Sequence, residues 1–278
     1  YLSKKISSEI SYIGDHSFLW NFKKNIFSNF YKSFKLSTLI KNYKKPHSVN
    51  GYLDKMFFKH SKFYKIPILT GGHDSMSCLS YHEKIFRKKF ILLSSGTWFV
   101  FFHPFTKIID KNFYYSIKFN KKKITTFRFS GGILFKKFIK KNFENEDKLY
   151  LINKILDNND FLLKKKKSHV NFSKKNLYYL FMIYLSLKTY HFLRKMGKMK
   201  YPIIVDGVIS KNKLFLKILS SLIEEQNIYK SNDIHGVARG MLIKKVKKKS
   251  NSYTLIKKNL YLRKKLVQYY QLHKEKFN

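Results

Sequence analysis

Residues 90–102 read FILLSSGTWFVFF, two apolar runs, 90–93 and 98–102, joined by Ser94, Ser95, Gly96 and Thr97. Apolar runs of four or five residues have the length of buried strands, and a short polar link carrying a glycine makes them a tight hairpin. Upstream, 66–70 is a second short strand run that ends in Gly71 and Gly72, with His73, Asp74 and Ser75 directly after it. Downstream, 112–119 and 123–129 supply further strands. After Gly131 and Gly132 the apolar spacing changes to that of a helix, at Ile133, Leu134, Phe135, Phe138 and Ile139. A long apolar helix over 177–196 stops at Gly197. A strand over 201–205, a turn at Asp206-Gly207, a helix over 211–225 and a strand over 228–230 follow. Asn232 or Asp233 is read as the cap of a helix running past Met241. Strands in series, then helices alternating with strands, predict an α/β fold on a mixed sheet. Residues 1–60 have weaker, helix-like spacing over 27–36, Lys164 to Lys167 read as a polar insertion, and 244–278 as a helical or loosely attached basic tail.

Composition bounds the function. At 278 residues the chain can bury a core without disulfides or metal, and 44% hydrophobic and 18% aromatic content excludes an intrinsically disordered protein. One cysteine, Cys78, excludes an internal disulfide framework and any zinc site built on two cysteines. It reads as a small buried hydrophobe, and His16, His103, His191 and His235 lack partners at metal-ligand spacing. No apolar run spans a bilayer and no signal peptide opens the chain, so the default placement is cytoplasmic.

Lys+Arg 58 against Asp+Glu 16 leaves a net charge of +42, which would suit a nucleic-acid partner. Alanine, however, occurs once and arginine five times, while Lys, Asn, Ile, Phe and Tyr, all with A/T-rich codons, are spread along the chain. A biased genome explains that pattern better than a phosphate-reading surface, which would cluster arginine. Nucleic acid and membrane are therefore not expected partners.

In an open α/β sheet ligands bind at strand ends. Four turns sit there: 71–74, 94–97, 131–132 and 206–207. Singly, each reads as an ordinary turn or cap. Together they carry what phosphoryl transfer needs: backbone close to phosphates at Gly96, a hydroxyl at Thr97, and a carboxylate, Asp74, to take a proton from an attacking alcohol, with His73 beside it.

These residues carry a resemblance to the FGGY carbohydrate kinases, which phosphorylate sugars with ATP on an actin-like, hexokinase-like (ribonuclease H-like) ATPase fold. SYIGDHSFLWNF at 11–22 resembles that family's SIGCHTxLWDF segment, GGHDSMS at 71–77 its GxHDTA, and LSSGTWF at 93–99 its SSGTWS hairpin. FSGGILF at 129–135 resembles FxGGxxF, VDGVISKN at 205–212 resembles DGGxSKN, and GVARG at 236–240 the closing GAALGAA helix. The wording leans toward the rhamnulokinase-like and fuculokinase-like members.

The resemblance implies ATP and Mg²⁺ as cofactors and a ketose or deoxyketose as substrate. It implies Asp74 as general base, His73 and Ser75 as sugar contacts, Gly96 and Thr97 at the phosphates, Gly131 near the nucleotide, and Gly207 and Asn212 at the adenosine. It implies three segments: the end of a sugar-binding domain over 1–85, a nucleotide-binding domain over 86–245 and a tail over 246–278. The family's opening D-x-G-T phosphate and metal loop is not in this sequence, so the reading expects a fragment, inactive alone, with the metal's carboxylate outside it. Val208 replaces the second glycine of the adenosine motif, where a β-branched side chain would oppose a positive φ and close approach. Val237 and Met241 replace small residues of the closing helix. A decayed sugar- or nucleotide-binding relative and a basic nucleic-acid-associated protein stay open as alternatives. Oligomeric state is not readable.

Overall fold

The computed structural model of the chain describes residues 8–15, 17, 19–38, 40, 43–54, 65–104, 113–139, 149–158, 174–197, 200–233, 235–242 and 252–277. Two compact units divide it: Tyr1–Lys88 with Tyr114–Thr126 and His235–Lys248, and Lys89–Phe113 with Phe127–Ile234 and Lys249–Asn278. Each unit is built from segments that the chain leaves and returns to. His16, Phe18 and the Lys164 to Lys167 insertion lie outside the described residues.

The first unit opens with β1 (Ser8–Glu9), α1 (Ile10–Asp15), the β2 (Trp20–Asn21) and β3 (Ile26–Phe27) hairpin, and α2 (Asn29–Ser33). Helix α2 is the short outcome of the apolar spacing over 27–36; Ser28 caps it by accepting from the Tyr31 N–H. Strand β4 (Tyr43–Lys44) pairs parallel with β1, and β5 (Val49–Tyr52) pairs antiparallel with β6 (Pro67–Leu69). A small core of Ile10, Ile13, Leu19, Trp20, Tyr31 and Ile117 sits beneath. After β6 the loop 70–73 leads into α3 (Asp74–Phe86), a helix the strand-end reading of Asp74 did not anticipate.

The chain enters the second unit with β7 (Ile91–Ser95) and β8 (Phe99–His103), the hairpin of the opening motif. It returns to the first unit for β9 (Tyr114–Ile117) and for the start of β10 (Lys123–Phe129), which pairs antiparallel with β9. The second unit continues with α4 (Gly131–Ile139), α5 (Leu149–Asp157), α6 (Lys174–Lys195), β11 (Ile203–Gly207), α7 (Lys213–Leu222) and β12 (Ile228–Ser231). Helix α8 (Gly236–Met241) belongs to the first unit; β13 (Tyr253–Leu255) and α9 (Leu260–His273) close the second.

The sheet order β13-β12-β11-β7-β8-β10 is mixed: β11 is parallel to both β7 and β12, while β8 and β13 run antiparallel to β7 and β12. Helix α6 is buried almost all round, from Tyr178 to Leu187, as its unbroken apolar sequence requires.

One expectation is corrected. Helix α8 starts at Gly236 with His235 at its cap. Asn232 and Asp233 lie in the turn after β12 instead, where the Asp233 N–H donates to Ser231 Oγ at 3.3 Å. Of the two forms expected of the basic C-terminal segment, the helical one holds over Leu260–His273. Strand β13 extends the sheet, and α9 buries Leu262, Leu266, Tyr269, Tyr270 and His273, an i, i+4, i+7 stripe that the lysines between them masked.

Candidate active site

In the second unit three turns converge because glycines let them. Strands β7 and β11 end side by side, with Asp206 opposite Ser94 and Gly207 opposite Ser95. Gly207 has φ +88°, and a Cβ there would lie 2.2 Å from the Ser95 carbonyl oxygen, so only glycine fits. Ser95 Oγ donates to the Asp206 carbonyl at 2.5 Å and accepts from the Ile209 N–H at 3.0 Å, stitching the two strand ends. A Cβ on Gly132 would stand 1.7 Å from the Gly96 carbonyl, and the Ile133 N–H donates to the Thr97 carbonyl at 3.0 Å. The turns 94–97, 130–133 and 206–209 thus form one cluster at the carboxyl ends of parallel strands.

Within it the residues singled out from sequence do different things. Gly96 and Thr97 are exposed, and the Gly96 N–H donates to the Trp98 carbonyl at 3.1 Å. Gly131 is buried against the Phe99 ring, 2.5 Å from where its Cβ would be, a packing reason for glycine. Asn212 is buried and caps α7: its Oδ1 accepts from the Phe215 N–H at 2.8 Å and its Nδ2 donates to Tyr178 Oη at 2.8 Å. Val208 begins a 3₁₀ turn, is absent from the positive-φ residues and is 53% exposed, so it strains nothing. The only carboxylate among these turns, Asp206, is buried. The cluster presents no exposed carboxylate for a metal ion.

In the first unit a polar network fixes the loop before α3. Glu9 accepts from the Ser11 N–H at 3.0 Å and from Ser11 Oγ, which in turn accepts from the His73 N–H at 3.1 Å. Burial pushes the Glu9 carboxyl above its ordinary value, against hydrogen bonds from Ser11, Tyr12 and His73 that pull the other way. The His73 carbonyl takes the Ser77 N–H at 2.9 Å, closing the first turn of α3. Helix α8 packs on α3 so closely that a Cβ on Gly240 would fall 1.8 Å from the Ser77 carbonyl, and Met241 Sδ lies 2.8 Å from Ser77 Oγ.

Asp74 is the first residue of α3, its side chain 73% exposed. Its Oδ1 accepts from the Ser75 N–H at 2.6 Å and from Ser75 Oγ at 3.3 Å, and His73 Nε2 stands 3.5 Å away. Ser75 therefore serves the carboxylate. Among the described residues no donor holds Oδ2. A cavity of about 440 Å³ opens beside this loop, walled by Glu9, Tyr12, Ser17, Asn50, Thr70 and Gly71. The sequence reading missed Glu9 and Asp15 as members of this network. Glu9 lies just before the 11–22 segment and Asp15 inside it, where a carboxylate ending a short apolar helix was the available signal.

A family model described as "Carbohydrate kinase FGGY, C-terminal domain" matches residues 87–252. The chain belongs to the FGGY carbohydrate kinase family. No curated protein sequence matches it. Among solved structures it is similar to a carbohydrate kinase from Novosphingobium aromaticivorans, at 18% identity and TM-score 0.76, covering 100% of this chain and 67% of that one. It is also similar to Plasmodium falciparum glycerol kinase solved with ADP, at 14% identity and TM-score 0.68, covering 99% and 64%. A ligand-bound xylulose kinase from Lactobacillus acidophilus gives 13%, 0.68, 99% and 64%. This FGGY chain thus spans about two thirds of the length of those structures. Its mixed α/β sheet is that of the actin-like, ribonuclease H-like sugar kinases. Among the described residues no helix is long and apolar enough to cross a membrane.

Proposed function

We propose that this FGGY chain carries the C-terminal portion of an ATP-dependent kinase for a small sugar or polyol of the ketose or deoxyketose type. The observation that carries the reading is Asp74, exposed with one carboxylate oxygen held at the start of α3, two residues after Gly72, which lines a cavity of about 440 Å³. Asp74 takes the proton of the attacking hydroxyl as that oxygen bonds to the γ-phosphorus and the bond to the β-phosphate oxygen breaks. Thr97, at the open turn of the second unit, donates its hydroxyl to phosphate, and Gly207 leaves the β11 end without a side chain where the adenosine is assigned. ATP is used as its magnesium complex, which neutralises charge on the phosphates; the turns 94–97, 130–133 and 206–209 present no exposed carboxylate to that ion.

The test is turnover of a panel of ketoses, deoxyketoses and polyols with ATP, in a polypeptide that includes a D-x-G-T phosphate loop. Asp74→Asn keeps the shape and loses the base, so kcat falls by about 10² to 10⁴ while sugar affinity stays within about tenfold. An unchanged kcat with lowered thermal stability would make Asp74 a helix-start residue and remove the proposal.

A further inference from the structure

Asp15, at the end of α1, is the anchored member of a three-residue set. Its side chain is 5% exposed, and Ser116 Oγ donates to its Oδ1. Its Oδ2 lies 3.3 Å from His73 Nε2, and Asp74 Oδ1 approaches the same nitrogen at 3.5 Å from the other element. Two carboxylates around one ring nitrogen are mutually tolerable only if that nitrogen carries a proton, since a lone pair there would face two negative charges. We propose that Asp15 is a positioning residue which keeps His73 protonated at Nε2, and that His73 in turn holds the exposed Asp74 carboxylate in one orientation for proton abstraction. The inference rests on Asp74 being the base.

Two further groups beside His73 are consistent with this polarity. Glu9 accepts from the His73 backbone N–H, and the Tyr12 ring meets the imidazole edge-on at 5.7 Å. Asp15 and Asp74 thus stand as buried and exposed ends of one relay of contacts through the imidazole.

The test begins on the unaltered chain, labelled with ¹⁵N and ¹³C, with the His73 signals assigned by their loss in His73→Gln. Long-range proton–nitrogen spectra should show the neutral ring protonated at Nε2. Asp15→Asn should move the His73 titration to lower pH, and Asp15→Glu should return it toward the original. An Nδ1-protonated neutral ring in the unaltered chain overturns the proposal, even if Asp15→Asn fails to fold. So does an unmoved titration in a folded Asp15→Asn. In the polypeptide that turns over, Asp15→Asn should lower kcat about tenfold or more with both KM values within about twofold, since a misplaced catalytic group costs turnover rather than binding. If Asp74→Asn abolishes turnover while Asp15→Asn leaves kcat unchanged, the positioning role is refuted and the base assignment stands. If neither variant affects turnover, the base assignment itself has failed.

Discussion

His103 gives a sharp test of the second unit, because its titration couples the fold to acid. The residue ends β8 and is 3% exposed, with the Tyr201 ring 5.8 Å away. Burial lowers its pKa from 6.5 to about 4. The sign follows directly: between those values the unfolded chain binds a proton and the folded chain does not, so stability is complete above pH 6.5 and falls as pH drops toward 4. At ~1.36 kcal/mol per tenfold change in proton affinity, the loss from this one group is about 2 kcal/mol by pH 5 and about 3 kcal/mol over the whole interval. His103→Phe keeps an aromatic ring against Tyr201 and removes the titration. The assay is urea unfolding from pH 7.5 to 4.5 in a Trp20→Phe background, where Trp98, in the same hairpin, reports alone. The difference in stability between the chain that keeps His103 and its His103→Phe variant should change with falling pH by the stated amount, other titrating groups cancelling. A difference independent of pH would refute the assignment of His103 as a neutral core histidine.

Glu9 titrates with the opposite sign. Its folded pKa is raised, so the stability tied to its protonated form is present below the ordinary value and lost as pH rises through the folded one. Glu9→Gln, which still accepts hydrogen bonds, should flatten the first unit's stability over that rise, as followed by urea midpoints. Gly240→Ala should destabilise by about 1–3 kcal/mol or more, because the added carbon meets the rigid Ser77 carbonyl; an unchanged melting temperature would show that α3 and α8 part freely. Leu266→Ala, on the buried face of α9, should cost about 2–5 kcal/mol, whereas a loosely attached C-terminal segment would lose nearly nothing. Thr97→Val should weaken binding of ADP or ATP measured by calorimetry and should leave the melting temperature within about a degree, since Thr97 is exposed.

Local pattern was enough for the elements that a short window defines. The hairpin around Gly96, the helix after Gly131, the apolar α6 and the β11 strand could all be read because periodicity and turn chemistry act over a few residues. Short motifs likewise singled out Asp74, His73 and Thr97. The α3 helix was not legible, because serines, histidine and glutamate interrupt its apolar positions directly after the Gly71-Gly72 turn. Helix α9 was hidden for a different reason: lysines between its buried positions lowered the apparent apolarity of a segment whose stripe packs against α5 and α7.

What the sequence by itself determined is therefore the class of fold, the order of the chemically equipped turns and the family they resemble, all properties carried by residues near one another in the chain. Tertiary structure alone decided which of those residues are engaged elsewhere. Asn212 caps a helix and touches Tyr178, Gly131 yields to the Phe99 ring, and Ser95 ties two strand ends. It alone also brought Asp15, far before His73 in the chain, against the imidazole, and set Glu9 behind the loop that carries Asp74. No local rule encodes such pairings, because the free energy of a buried carboxylate depends on which distant donors the packed chain delivers to it.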